Sequence, residues 1–66
     1  MGVERITRIT ATAPDGFEGA IQEGLKRANK TLRNLQRMDV VSHAVRLQNG
    51  EIREYEVVLD ITFMLE

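Results

Sequence analysis

The sequence predicts an α+β fold of order β-α-β-β, a three-stranded antiparallel sheet with the third strand central and one helix against it. Three observations carry this. Arg53 to Leu65 alternates, with Tyr55, Val57, Leu59, Ile61, Phe63 and Leu65 on one side and Glu54, Glu56, Val58, Asp60, Thr62 and Met64 on the other. Successive side chains of a strand point to opposite faces, so this pattern marks a strand with one buried face. Phe17, Ala20, Ile21, Leu25, Ala28, Leu32 and Leu35 recur at helical spacing and form one apolar stripe. Asn49-Gly50 stands between two extended runs, and tight hairpin turns require residues that tolerate positive φ.

In chain order, Val3 to Ala13 is the first strand, rich in Val, Ile and Thr but imperfect in alternation, and Pro14 closes it. Asp15-Gly16-Phe17-Glu18 fits a capping box, in which the Asp15 carboxylate accepts from the Glu18 N–H and Glu18 reaches back to Asp15. Beyond it, acids come early and bases late along the helix, as its dipole prefers. Gly16, Gly19 and Gly24 each weaken a helix by roughly 1 kcal/mol relative to Ala, and their smallness suits a close approach to a neighbouring element. The helix exits over Leu35 to Met38, and a second strand of about Met38 to Leu47 leads to the hairpin. Two registers are open there: a two-residue loop pairs Ala44 with Tyr55, and a glycine-bulge loop pairs His43 with Tyr55. The helix stripe covers one face of the sheet; the other keeps Val58 and Met64 and, by a weaker pattern, Ile52, a surface suited to other subunits.

Sixty-six residues make a single domain, 1–66, and bury only about 60% of the surface the unfolded chain exposes. Disulfides, a structural metal or oligomerisation are the usual remedies. Cysteine is absent, which removes disulfides and thiolate zinc sites, and a single His builds no imidazole cluster. Self-association is therefore the expected remedy. A net charge of −1 creates no field that would draw nucleic acid or an anionic membrane. The N-terminal stretch carries Glu4, Arg5 and Arg8 and has no apolar core of a signal peptide, and no apolar run approaches a membrane span. The chain reads as soluble and cytoplasmic.

Several strings resemble the dodecins, small flavin-binding proteins that assemble as hollow homododecamers. They are Ala13-Pro14-Asp15-Gly16-Phe17-Glu18-Gly19-Ala20-Ile21, Arg27-Ala28-Asn29-Lys30-Thr31-Leu32-Arg33-Asn34-Leu35, Glu54-Tyr55-Glu56-Val57-Val58-Leu59 and the closing Phe63-Met64-Leu65-Glu66. The resemblance spans nearly the whole chain. It implies a homododecamer that binds and sequesters a small ligand, with flavin (FMN, riboflavin or FAD) as the ligand class and no catalysis. It also implies where the ligand sits. A ring-stacking tryptophan after the helix matches Arg37, a glutamine that holds the pyrimidine edge matches Glu56, and an arginine late in the second strand matches Ala44. All three places depart from the family pattern, and the chain has no Trp, so the flavin site is a degenerate one. A guanidinium can stack as an aromatic ring does, but a carboxylate accepts hydrogen bonds and cannot donate one to a carbonyl. The rival expectation is a flavin-free shell, structural or cation-binding, in which carboxylates repeat around a symmetry axis.

Taken singly, these residues have plainer readings. Arg37 at a helix exit is a solvated cation near a negative dipole end. Glu56 belongs on a polar strand face; buried between subunits it would need a partner, for which Arg37 or Arg46 of a neighbouring chain is the candidate. His43 is a packed or hydrogen-bonded strand residue. Glu51, Glu54, Glu56 and Asp60 lack calcium-loop spacing, and Lys26, Arg27, Lys30 and Arg33 form a solvated helix face. No nucleophile-base pair or metal motif is present, so no catalytic residue and no metal ligand is assigned.

Overall fold

The computed structural model of the chain describes residues 2–65. Its elements are β1 (Val3–Ala13), α1 (Phe17–Thr31), β2 (Leu35–Gln48) and β3 (Glu51–Leu65). The three strands form one antiparallel sheet of order β1-β3-β2, with β3 central as its alternation requires. Helix α1 packs chiefly on β1 and β3. No helix among the described residues is long and apolar enough to cross a membrane.

Between sheet and helix lies a core of Ala13, Ala20, Ala28, Val57, Leu59 and Ile61, extended by Ile9, Ala11, Phe17, Ile21, Leu32, Leu35 and Met38. Val57, Leu59 and Ile61 are wholly buried, the alternate residues that β3 turns toward the helix. The helix meets them with its smallest side chains: Ala20, Gly24 and Ala28, four residues apart, are its buried positions. A Cβ at Gly24 would stand 2.6 Å from Leu59 Cδ1, so this glycine sets how closely helix and sheet approach. At the other end Phe17 meets His43 and Tyr55 edge-on, with ring centroids 4.9 and 5.1 Å apart.

The capping box does not form. Gly16, with φ of 145°, is the N-cap; no side chain caps the helix, and the Ala20 N–H donates to the Gly16 carbonyl instead. A glycine between Asp15 and the first helical residue moves the carboxylate one position too far back for the reciprocal pair. The helix is also shorter than its apolar stripe. It ends at Thr31, Leu32 is extended, and Asn34 at φ 59° turns the chain into a β2 that begins at Leu35 rather than Met38. Leu32 and Leu35 still reach the core, because in either conformation they fall on its side. The Asn34 carbonyl accepts from the Met64 N–H at 3.0 Å and from Gln36 Nε2 at 3.1 Å, which fastens the connection to the end of β3.

Asn49 and Gly50, both at positive φ, form the expected hairpin turn. Neither expected register follows from it. Gln48 pairs with Glu51 and Leu47 with Ile52, but Arg53 is an extra residue in β3, so Tyr55 faces Val45, Glu56 faces Ala44 and Val57 faces His43. The same bulge puts Ile52 opposite Leu47, on the side of Val45 and Tyr55, and so removes it from the face of Val58 and Met64. Further extra residues in β2, at Gln36 and Val41, reset its register twice.

Candidate functional site

The sheet face opposite the helix bears the polar pairs. Antiparallel pairing sets Arg8 beside Asp60, Thr10 beside Val58 and Thr12 beside Glu56 from β1, with Asp39, Ser42 and Ala44 opposite the same three β3 residues from β2. Arg8 grips Asp60 with a fork, Nε to Oδ1 at 2.7 Å and Nη2 to Oδ2 at 3.0 Å. Arg37 Nη2 donates to Asp39 Oδ1 at 2.7 Å. Arg46 donates twice to Glu56 Oε1, from Nε at 2.9 Å and Nη2 at 2.6 Å, and lies 3.5 Å from Glu54 Oε2. Each guanidinium is held protonated above its ordinary value, first by its hydrogen bond to the partner carboxylate and then by that partner's charge. The Arg8 hydrogen bond correspondingly holds the Asp60 carboxyl below its usual value against the opposing effect of desolvation.

All three positions expected to form the ligand site lie on this open face, and the chain brings two of them together. Ala44 and Glu56 are direct cross-strand partners. Arg37 is opposite Thr62, six residues along β3 from Glu56, about 20 Å at roughly 3.3 Å per residue. Arg37 also borders two open clefts. One, of about 350 Å³, is lined by Leu25, Leu35, Gln36, Arg37 and Met38. The other, of about 420 Å³, is lined by Glu4, Ile6, Arg37, Asp39 and Thr62. Neither includes Ala44 or Glu56.

The partner expected for Glu56 from a neighbouring chain is supplied within the same chain, by Arg46. Sequence reading could not place it there, because the extra residue at Arg53 decides which β2 side chain can reach Glu56. Arg46 is directly opposite Glu54 and reaches Glu56 along the diagonal, a distance long side chains span across a strand pair. The small Ala44 side chain leaves that path clear. Among the described residues no cluster of three or more His, Asp or Glu could hold a metal ion.

A family model described as Dodecin matches residues 3–66. The dodecin of Thermus thermophilus is 38% identical over 64 residues, which cover 97% of this chain and 93% of that protein. The solved structure of the Streptomyces davaonensis dodecin is similar with a TM-score of 0.93 and 35% identity, over 98% of this chain and 96% of that one. A structure of the Thermus thermophilus dodecin with a tryptophan replaced by phenylalanine gives a TM-score of 0.94 and 36% identity, over 100% of this chain and 98% of that one.

Proposed function

The chain belongs to the dodecin family, and we propose that it forms a homododecameric shell, one dodecin-like domain of residues 1–66 per chain, that sequesters a small ligand between subunits without transforming it. One observation carries this reading: Arg37 and the Ala44–Glu56 pair share the open sheet face yet stand about 20 Å apart in one chain. A single ligand touches both only where two chains meet. Flavin is the ligand class the resemblance implies, with Arg37 as the stacking surface and Glu56 as the hydrogen-bonding partner of the ring edge. A guanidinium plane can lie against a ring face, though with less apolar area than an indole offers.

A flavin-free shell is the second reading, and the ion pairs favour it. Arg37 is tied to Asp39 and Glu56 to Arg46, so neither polar group needs a ligand to be satisfied. Light scattering combined with riboflavin fluorescence separates the two. Quenching of riboflavin by a species of dodecamer mass supports the flavin reading, and an assembled protein that leaves the fluorescence unchanged supports the second. A folded single subunit at micromolar concentration overturns both. Replacing Arg37→Trp together with Glu56→Gln should create or strengthen flavin binding by roughly tenfold or more, the scale of an added stacking surface and a restored donor. Unchanged quenching by that variant would show that these positions do not face the ligand.

A further inference from the structure

We infer that Arg46 and Glu56 act as one donor–acceptor unit that recognises the lactam or imide edge of a heterocycle, an N–H flanked by a carbonyl. The inference rests on the proposed ligand site and names the chemistry that site selects.

A lone carboxylate offers acceptors only, so at Glu56 it could take an N–H but would repel the adjacent carbonyl oxygen. Glu56 is not alone. Both hydrogen bonds from Arg46 arrive at Oε1, at 2.9 and 2.6 Å, and among the described residues nothing donates to Oε2. Oε2 remains an acceptor. A guanidinium carries five N–H donors, and Arg46 commits Nε and one Nη2 hydrogen to Glu56, which leaves donors beside the open oxygen. The pair therefore presents an acceptor next to donors and is close to neutral as a whole. A primary amide shows a ring edge the same pattern.

The surroundings favour that role over a simple surface ion pair. Glu56 has a side-chain exposure of only 19%, on the central strand. Cross-strand pairing gives it Thr12 on one side and Ala44 on the other. Ala44 is too short to cover it, and Val58, two residues along β3, supplies an apolar floor on which a flat ring can lie. Arg46 is pinned from the far side by Glu54 at 3.5 Å, so its guanidinium is oriented before any ligand arrives. A ligand that presented only acceptors, such as a phosphate or carboxylate, would meet Glu54 and Glu56 and be excluded.

The test is a double-mutant cycle on the assembled protein, titrated with two fluorescent probes that carry the same imide edge: riboflavin, and lumazine, which lacks the isoalloxazine ring. Arg46→Met keeps the apolar stem and removes the donors. With Glu56 in place it should weaken binding of either probe by about tenfold or more, the range of a lost charge-assisted hydrogen bond. In a Glu56→Gln background, where the amide supplies its own donor, the same replacement should cost less than about twofold. Equal losses in both backgrounds would overturn the unit and leave Arg46 a strand brace, with flavin binding intact. Lumazine bound in an Arg46-dependent way, with riboflavin ignored, would uphold the unit and dismiss flavin as the ligand. Binding of neither probe by any of the four proteins overturns both. Should Arg46→Met fail to assemble, Arg46→Lys takes its place, since it keeps the charge and loses the planar fork.

Discussion

Glycines at positions 19 and 24 lie on the same helix, yet alanine should act in opposite directions at the two. At Gly24 the new Cβ would meet Leu59 Cδ1 at 2.6 Å, and Leu59 is wholly buried among side chains that cannot yield without shifting. Overpacking of that kind costs about 1–3 kcal/mol, more than the roughly 1 kcal/mol of helix propensity gained. Gly24→Ala should therefore lower the midpoint of chemical denaturation. At Gly19 the new Cβ would meet only the Asp15 carboxylate, which sits on an exposed residue, caps nothing and is free to rotate away. Gly19→Ala should raise the same midpoint, by up to about 1 kcal/mol. Two shifts of one sign would show that packing at Gly24 is looser than its geometry implies. Asp60 supplies a prediction in pH. Its folded-state value is depressed, chiefly by the Arg8 hydrogen bond. The unfolded chain therefore binds the proton more readily, and the stabilisation is present above the ordinary carboxylate value and lost as pH falls through the depressed one. Asp60→Asn should flatten that acid limb in melts recorded between neutral pH and about pH 3, and leave the slope above pH 6 unchanged.

At the scale of elements, what could be read in advance was whatever periodicity or turn chemistry encodes. Tyr55 to Phe63 alternates because β3 is paired on both edges and covered on one face, and Asn49-Gly50 supplies two positive-φ residues in succession. These settled the central strand and the hairpin. What escaped was one-residue detail. Gly16 displaces the cap from Asp15, and Arg53 shifts the β2–β3 register by one, which is enough to choose between Ala44 and Val45 as the neighbour of Tyr55. The candidate site inherits that uncertainty directly, since the Arg46–Glu56 contact exists only in the bulged register. The end of the helix was hidden for another reason: Leu32 and Leu35 satisfy the core from either conformation, so the apolar stripe carried no stop signal. Asn34 did carry one, as a residue type that tolerates the left-handed region at a helix exit. Its φ of 59° makes the test simple. Asn34→Gly should leave stability within a few tenths of a kcal/mol, whereas Asn34→Val, β-branched in the same conformation, should cost about 1–2 kcal/mol in denaturant melts. Equal effects would mean that the connection relaxes out of this geometry at no cost.

For the whole molecule the decisive feature is length without cover. The chain measures 50 × 19 × 14 Å, and its helix lies over β1 and β3 while the β2–β3 hairpin runs on beyond Phe17. Val45, Leu47 and Ile52 on that arm are exposed by 39, 63 and 53%, and Val3 and Ile6 at the start of β1 by 66 and 61%. None of them contributes to the core that holds a single chain together. Burying them against other chains at about 25 cal/mol per Å² is the available source of further stability for a domain this small. An acidic side chain at one of these places therefore discriminates between two roles. If Leu47 matters only to the chain's own fold, Leu47→Asp should do little, because the residue is already in water. If it serves an interface between copies, the same change buries a charge without a partner at every repeat of that contact, and assembly should fail. We expect Leu47→Asp to reduce the mass measured by light scattering to that of small fragments while the far-ultraviolet circular dichroism of the helix persists. Val58→Asp, on the opposite face and half-buried beside Thr10 and Ser42, should behave likewise if the open face is also covered in the assembly. Should Leu47→Asp alone dissociate the shell, the hairpin arm makes the subunit contact and the face bearing Arg46 and Glu56 stays open to a ligand.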